Sequence, residues 1–221
     1  MRIGLFGGTF NPVHRGHLWA ASEVKKGFNL DQVFLIPAAL PPHKTPGAVA
    51  DADDRLKMIH LAIEGLSCVT VSDVELNRPG TSYTIDTVYH FKQTFADDSR
   101  IYLIMGLDAF LEINTWKSHT ELLEQIAFII MARPNEDYPD AHQGWKILED
   151  YLNCTLSEGY EFLAAPGRYR TEGKPPIHIV DIGALDISST KIRENVKKKK
   201  TIEDLVPAKV AEFIQSKGLY R

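Results

Sequence analysis

Short apolar runs, each closed by glycine, proline or a charged turn, recur along this chain. They are MRIGLF (1–6), QVFLIPA (32–38), RIYLIMG (100–106) and IHIVDIG (177–183); VTVSDVEL (69–76), which carries polar residues, also reads as a strand, and TELLEQIAFIIMARP (120–134) as a helix running into one. Apolar runs without polar alternation suit strands covered on both faces. The segments between them carry apolar residues at helical spacing. Residues 53–66 place Leu56, Ile59, Ile63 and Leu66 on one face, with Asp53 or Asp54 as N-cap. Helices are also expected from about His17 to Lys26, over 81–95, in the first half of 120–134, from SSTKIR onward, and over Ala208–Lys217. Strands alternating with helices dictate βαβ units and right-handed crossovers. The fold class is therefore α/β, a doubly wound parallel sheet with helices on both faces and a small C-terminal helical part. Residues 1–221 form one domain, with 135–176 as a candidate insertion and 187–221 as the helical portion. Within that insertion, GWKILEDYL suggests a helix and APGRYRTEGKPP a loop.

Composition narrows the function. The chain has 221 residues, 44% of them hydrophobic, enough for a sizeable core. Its 25 basic and 29 acidic residues give a net charge of −4, which argues against a nucleic-acid-coating protein. The run KKKK at 197–200 reads as a solvated helix end. Cys68 and Cys154 lack metal-site spacing and read as small buried apolar residues. No apolar run is long enough to cross a membrane and no cleavable leader precedes the first strand, so a soluble cytoplasmic protein is expected.

The chemistry concentrates in GLFGGTFNPVHRGHL, residues 4–18. A strand, then Gly7-Gly8-Thr9, then a helix start places backbone N–H groups around a phosphate. His14 and His17 are three apart and share a helix face, which Gly16 keeps open. The segment is not a Gly-Lys-Ser/Thr phosphate loop, nor a GxGxxG dinucleotide fingerprint. A second hydroxyl-rich helix start, ISSTKIR (187–193), offers Ser188, Ser189, Thr190 and the cation Arg193. Its bland reading is a well-capped helix with surface cations; that of His14 and His17 is a surface pair beside a turn.

GGTFNPVHRGHL resembles the HxGH signature of the Rossmann-like nucleotidyltransferase superfamily, and ISSTKIR its second signature. The chain is similar over nearly its whole length to the bacterial nicotinate-nucleotide adenylyltransferase family. Further matches are PPHK (41–44), RPGTSYTIDT (78–87), MGLDAF, Trp116, ARP (132–134) and the tail VPAKVAEFIQSKGLY. The resemblance implies transfer of AMP from ATP to nicotinate mononucleotide, giving nicotinate adenine dinucleotide and pyrophosphate in NAD biosynthesis. It implies His14, His17 and Arg193 as catalytic residues. Gly7, Gly8, Phe10, Gly106, Asp108, Ser188 and Ser189 join them in holding ATP. Thr9, Lys44, Ser82, Tyr83, Thr84 and Trp116 would hold the mononucleotide. Trp116 can stack on a pyridine ring. The helix start at Ser82–Thr84 would favour a carboxylate, which nicotinate carries and nicotinamide lacks.

The attacking phosphate is anionic at neutral pH, so no strong general base is required. Catalysis reduces to positioning and electrostatics. Mg²⁺ is expected on the ATP phosphates, with no metal site built from protein side chains alone. ATP and the mononucleotide are the expected partners, without nucleic acid or membrane; a homo-oligomer stays open. Asn11 stands where the family commonly has aspartate and is expected to cap the following turn. Other readings are the same chemistry on nicotinamide mononucleotide or phosphopantetheine, a non-catalytic nucleotide sensor, or a tRNA-aminoacylating relative.

Overall fold

The computed structural model describes residues 1–39, 49–132, 141–156, 159–163, 167–183, 185 and 187–221. Lys44 and the PPHK segment, and Arg133 of ARP, lie outside the described residues.

The chain opens with β1 (Arg2–Gly8), α1 (Arg15–Phe28), β2 (Gln32–Pro37), α2 (Ala52–Ile63) and β3 (Val69–Val71). It continues through α3 (Thr84–Thr94), β4 (Arg100–Gly106), the single turn α4 (Leu107–Phe110), α5 (His119–Gln125) and β5 (Ala127–Ala132). Then come α6 (Ala141–Tyr151), β6 (Glu161–Leu163), β7 (Arg168–Arg170), β8 (Ile177–Asp181), α7 (Ser189–Lys197) and α8 (Ala208–Lys217). One sheet runs β3-β2-β1-β4-β5-β8-β7-β6. The first six strands of that order are parallel, and β7 and β6 add an antiparallel edge. The order reverses direction between β1 and β4, and such sheets bind ligands in the crevice beyond the strand ends at that point.

Two cores sandwich the sheet, as the runs without alternation require. Leu5, Leu103, Met105, Phe128 and Ile130 face α3, α5 and α6. Phe6, Ile104, Ile129 and Met131 face the opposite side, where Ile192 of α7 and Val210 and Ile214 of α8 pack. The C-terminal helices therefore cover one face of the sheet.

Several sequence expectations change. The buried face of α2 is Arg55, Met58, Ile59 and Ala62, whereas Leu66 is exposed beyond the helix. The N-cap position of α2 is Asp51, whose side chain makes no capping bond. The strand after residue 69 ends at Val71, because the Asn77 N–H closes a turn onto the Asp73 carbonyl at 3.0 Å. Residues 168–170, read as loop, form β7: Tyr169 is buried, and its hydroxyl donates to the Trp145 carbonyl at 3.1 Å. A three-residue strand is too short to stand out between Gly167 and the turn at 171–174. Cys154 is exposed and Cys68 half-buried, so neither is a core residue.

Candidate active site

The crevice beyond β1 and β4 holds a cavity of about 420 Å³. Gly7, Gly8 and Thr9 form its floor, with Ser82, Tyr83 and Thr84 on one wall and Trp116 on another. These residues come from three regions of sequence, and the parallel sheet brings them together. A methyl group on Gly7 would meet nothing within 4 Å, so its missing side chain leaves open space over the strand end. Thr84 is the first residue of α3, so unpaired helix N–H groups begin there. Trp116 follows a 3₁₀ turn, Ile113–Thr115, and packs against the core through part of its ring.

Beside this cavity, the two histidines build the start of α1. His14 is its N-cap and 3% exposed. The His17 backbone N–H donates to His14 Nδ1 at 3.3 Å, and the His14 backbone N–H donates to His17 Nδ1 at 3.2 Å. Each Nδ1 thus uses its lone pair on a backbone donor, which places the ring proton of each imidazole on Nε2. The rings stack at 3.6 Å between centroids. A Cβ on Gly16 would stand 3.0 Å from His14 Nδ1, so any other residue there would press on the stacked ring. Phe10 sits in the left-handed backbone region (φ 48°) and places its ring edge-on to His17 at 4.9 Å. Asn11 does not cap α1, since His14 holds that position. The Asn11 Oδ1 instead accepts from Ala50 N and from the Tyr220 hydroxyl at 3.0 and 2.9 Å.

The second signature segment docks on the first. Ser188 is the N-cap of α7 and accepts from Lys191 N at 3.1 Å. Ser189 donates to the Pro12 carbonyl at 2.9 Å. Arg193 donates to the Asn11 carbonyl at 2.9 Å and to Thr190 Oγ1 at 3.1 Å. Gly106 ends β4 and occupies the N-cap position of α4, with Asp108 exposed in the first turn.

Four further residues escaped the sequence reading. Arg55, 1% exposed, donates to the carbonyls of Ala50, Thr9, Ala38 and Ala39 at 2.8–3.3 Å. Burial holds its guanidinium below the ordinary arginine range. Its signal was a charge in register with Ile59 and Ala62 on a helix face. Glu75 lines the cavity and accepts the Thr87 hydroxyl at 2.8 Å. Burial pushes its carboxyl up, while bonds from Thr87 and Ser82 and the nearby Arg78 pull it back. Lys117 stands at the cavity with its ammonium 4.2 Å from the centre of the Tyr83 ring and 3.7 Å from Asp86 Oδ2. Tyr220, whose hydroxyl reaches Asn11, enters the sequence reading only as the last residue of the matching tail VPAKVAEFIQSKGLY, with no role assigned.

A doubly wound sheet with a histidine-capped helix and a glycine floor at its switch point defines a nucleotidyltransferase of the HxGH type. The cytidylyltransferase-like family profile matches residues 5–195. A "Probable nicotinate-nucleotide adenylyltransferase" of Desulfatibacillum aliphaticivorans is 41% identical over 226 residues, covering 100% of both chains. A protein of the same name from Moorella thermoacetica is 40% identical, covering 100% of this chain and 92% of its own. The chain belongs to the cytidylyltransferase-like family and, within it, to the nicotinate-nucleotide adenylyltransferases. The Plasmodium falciparum nicotinic acid mononucleotide adenylyltransferase, solved with NaAD, shares the fold with a TM-score of 0.73 at 18% identity. That alignment covers 99% of this chain and 97% of the other. No helix among the described residues is long and apolar enough to cross a membrane.

Proposed function

We propose that this chain transfers the adenylyl group of ATP to nicotinate mononucleotide, releasing pyrophosphate and nicotinate adenine dinucleotide. A phosphate oxygen of the mononucleotide forms the new bond to the α-phosphorus of ATP as the bond to the pyrophosphate oxygen breaks. The observation that carries the reading is the reciprocal His14–His17 cap beside the Gly7–Thr9 floor. It supports two Nε2–H donors aimed at phosphate oxygens, where charge builds as the bond is transferred. Ser188, Ser189 and the first N–H groups of α7 serve the β- and γ-phosphates, and Arg193 adds a fixed charge. Gly8 and Phe10 shape the nucleotide side, with Gly106 and Asp108 at the end of β4. Thr9 stands between the two substrates, and Lys44 serves the mononucleotide phosphate.

Trp116 stacks on the pyridine ring, and the Ser82–Thr84 helix start receives its carboxylate. Mg²⁺ carried on the ATP phosphates would neutralise part of their charge, and Ser188, Ser189 and Arg193 would hold those phosphates. Among the described residues no three His, Cys, Asp or Glu side chains converge as metal ligands.

Pyrophosphate release tests the reading, with ATP and Mg²⁺ and with nicotinate or nicotinamide mononucleotide in parallel. Strong preference for the acid is expected. Equal rates would remove the carboxylate role of Ser82–Thr84, and release with neither would remove the proposed reaction.

A further inference from the structure

A second cavity, of about 430 Å³, opens at the opposite end of the sheet, where β1 and β4 begin. Arg2, Arg100, Arg168 and His178 line it, with Phe28 and Tyr102 as aromatic walls. The sheet register enforces this convergence. Arg2 stands beside Arg100 on neighbouring parallel strands, and Arg168 stands opposite His178 across the β7–β8 pair. Like charges on adjacent strands repel. Yet among the described residues no carboxylate lies within ion-pair distance of these three guanidiniums. Arg2 reaches only the Tyr102 hydroxyl with its Nη2, at 3.3 Å, and lies over the same ring.

Three nitrogens here, Arg2 Nε, Arg168 Nε and His178 Nδ1, are buried without a hydrogen-bond partner. His178 itself is only 9% exposed. Folded proteins leave few buried polar atoms unpaired, and three in one cavity call for an occupant. We propose that this cavity binds a phosphate group, free or as a small phosphomonoester, gripped by Arg2, Arg100 and Arg168 with His178 beside it. Guanidinium forks match phosphate oxygens, and three fixed positive charges favour a multivalent anion over a single carboxylate. The cavity lies within the size range of small-molecule sites. β1 separates it from the active-site crevice by its seven residues, about 20 Å of strand. The ligand is therefore an additional one, bound independently of the transfer reaction.

Burial, Arg168 and Arg2 hold His178 down at about 4, so the ring is neutral when the cavity is empty. A bound anion opposes that field and raises the ring's affinity for a proton. This makes His178 a reporter that a purely structural arginine cluster would not move.

The test titrates inorganic phosphate, and in parallel AMP, into the full chain with its histidine rings ¹³C-labelled. The His178 signal is assigned through His178→Gln. It is expected to shift saturably, with the midpoint raised about tenfold in Arg168→Gln and in Arg100→Gln. Arg100 is exposed, so its variant carries no folding risk. Turnover should be unchanged in both. A lower midpoint with AMP marks a phosphomonoester as the ligand, and equal midpoints mark free phosphate. Movement of the His14 and His17 signals while His178 stays still would overturn the proposal. So would identical titrations of wild type and both variants.

Discussion

Ser189 donates its hydroxyl to the Pro12 carbonyl across 2.9 Å, fastening the start of α7 to the loop that precedes α1. Arg193 repeats the tie one turn later on the Asn11 carbonyl. The two signature segments thus hold each other in place before any nucleotide arrives. Ser189→Ala is expected to cost about 1 kcal/mol of stability, the ordinary net value of such a bond. It should also raise KM for ATP more than KM for the mononucleotide. Urea unfolding and two-substrate kinetics measure the pair of effects.

His17→Ala removes one Nε2–H donor and half of the reciprocal cap. A kcat lower by on the order of 10² or more is expected, the scale of losing a transition-state donor. Gly16→Ala reaches the same end without touching a histidine, because its Cβ would stand 3.0 Å from His14 Nδ1. Its kcat should fall while circular dichroism stays unchanged. Full kcat in His17→Ala at saturating substrate would remove that residue from the mechanism.

Arg55→Met leaves four carbonyls around a fully buried site without their donor. A loss of about 3 kcal/mol is expected, within the range for stripping a buried charged network. Three of those carbonyls belong to Thr9, Ala38 and Ala39, so KM for the mononucleotide should rise as well. An unchanged denaturation midpoint would contradict this account of Arg55.

Much of this was legible beforehand, for identifiable reasons. The strand runs stood out because a doubly covered sheet needs apolar residues at every position, and β4 fell on residues 100–106 as expected. The glycines, His14 and His17 were legible because few folds need that combination after a strand. Arg55 was not, since its partners are backbone carbonyls that leave no mark on side-chain identity. Glu75 was not, because it turns inward only where the expected strand stops at Val71. β6 and β7 are three residues each, too short to show a period.

Trp116→Ala should raise KM for nicotinate mononucleotide about tenfold, the scale of one aromatic stack. KM for ATP should stay within twofold, since Trp116 lines the cavity with Ser82, Tyr83 and Thr84, and no residue of the histidines' helix is among that cavity's lining. A change confined to ATP would place the ring on the other substrate.

His178 supplies a pH dependence of stability. Its folded-state value of about 4 lies below the ordinary 6.5, so on acidification the unfolded chain takes up the proton first. Stability is whole above about 6.5 and is lost as pH falls toward 4, by an amount on the order of 2 kcal/mol. His178→Phe should flatten that part of the profile. Urea midpoints at about pH 7 and about pH 5, in buffer free of multivalent anions, measure it.

The strand order also governs how the molecule is made. β1 lies between β2 and β4, and Arg2 takes Arg100 as its register partner. The ribosome therefore releases the first strand long before its second neighbour exists. Until residues 100–106 emerge, one edge of an apolar strand bearing the glycine floor lacks its neighbour, open to any other extended chain. Pairings this distant in sequence close slowly. The arrangement that creates the crevice thus leaves an apolar strand edge waiting for its neighbour for about ninety residues of synthesis.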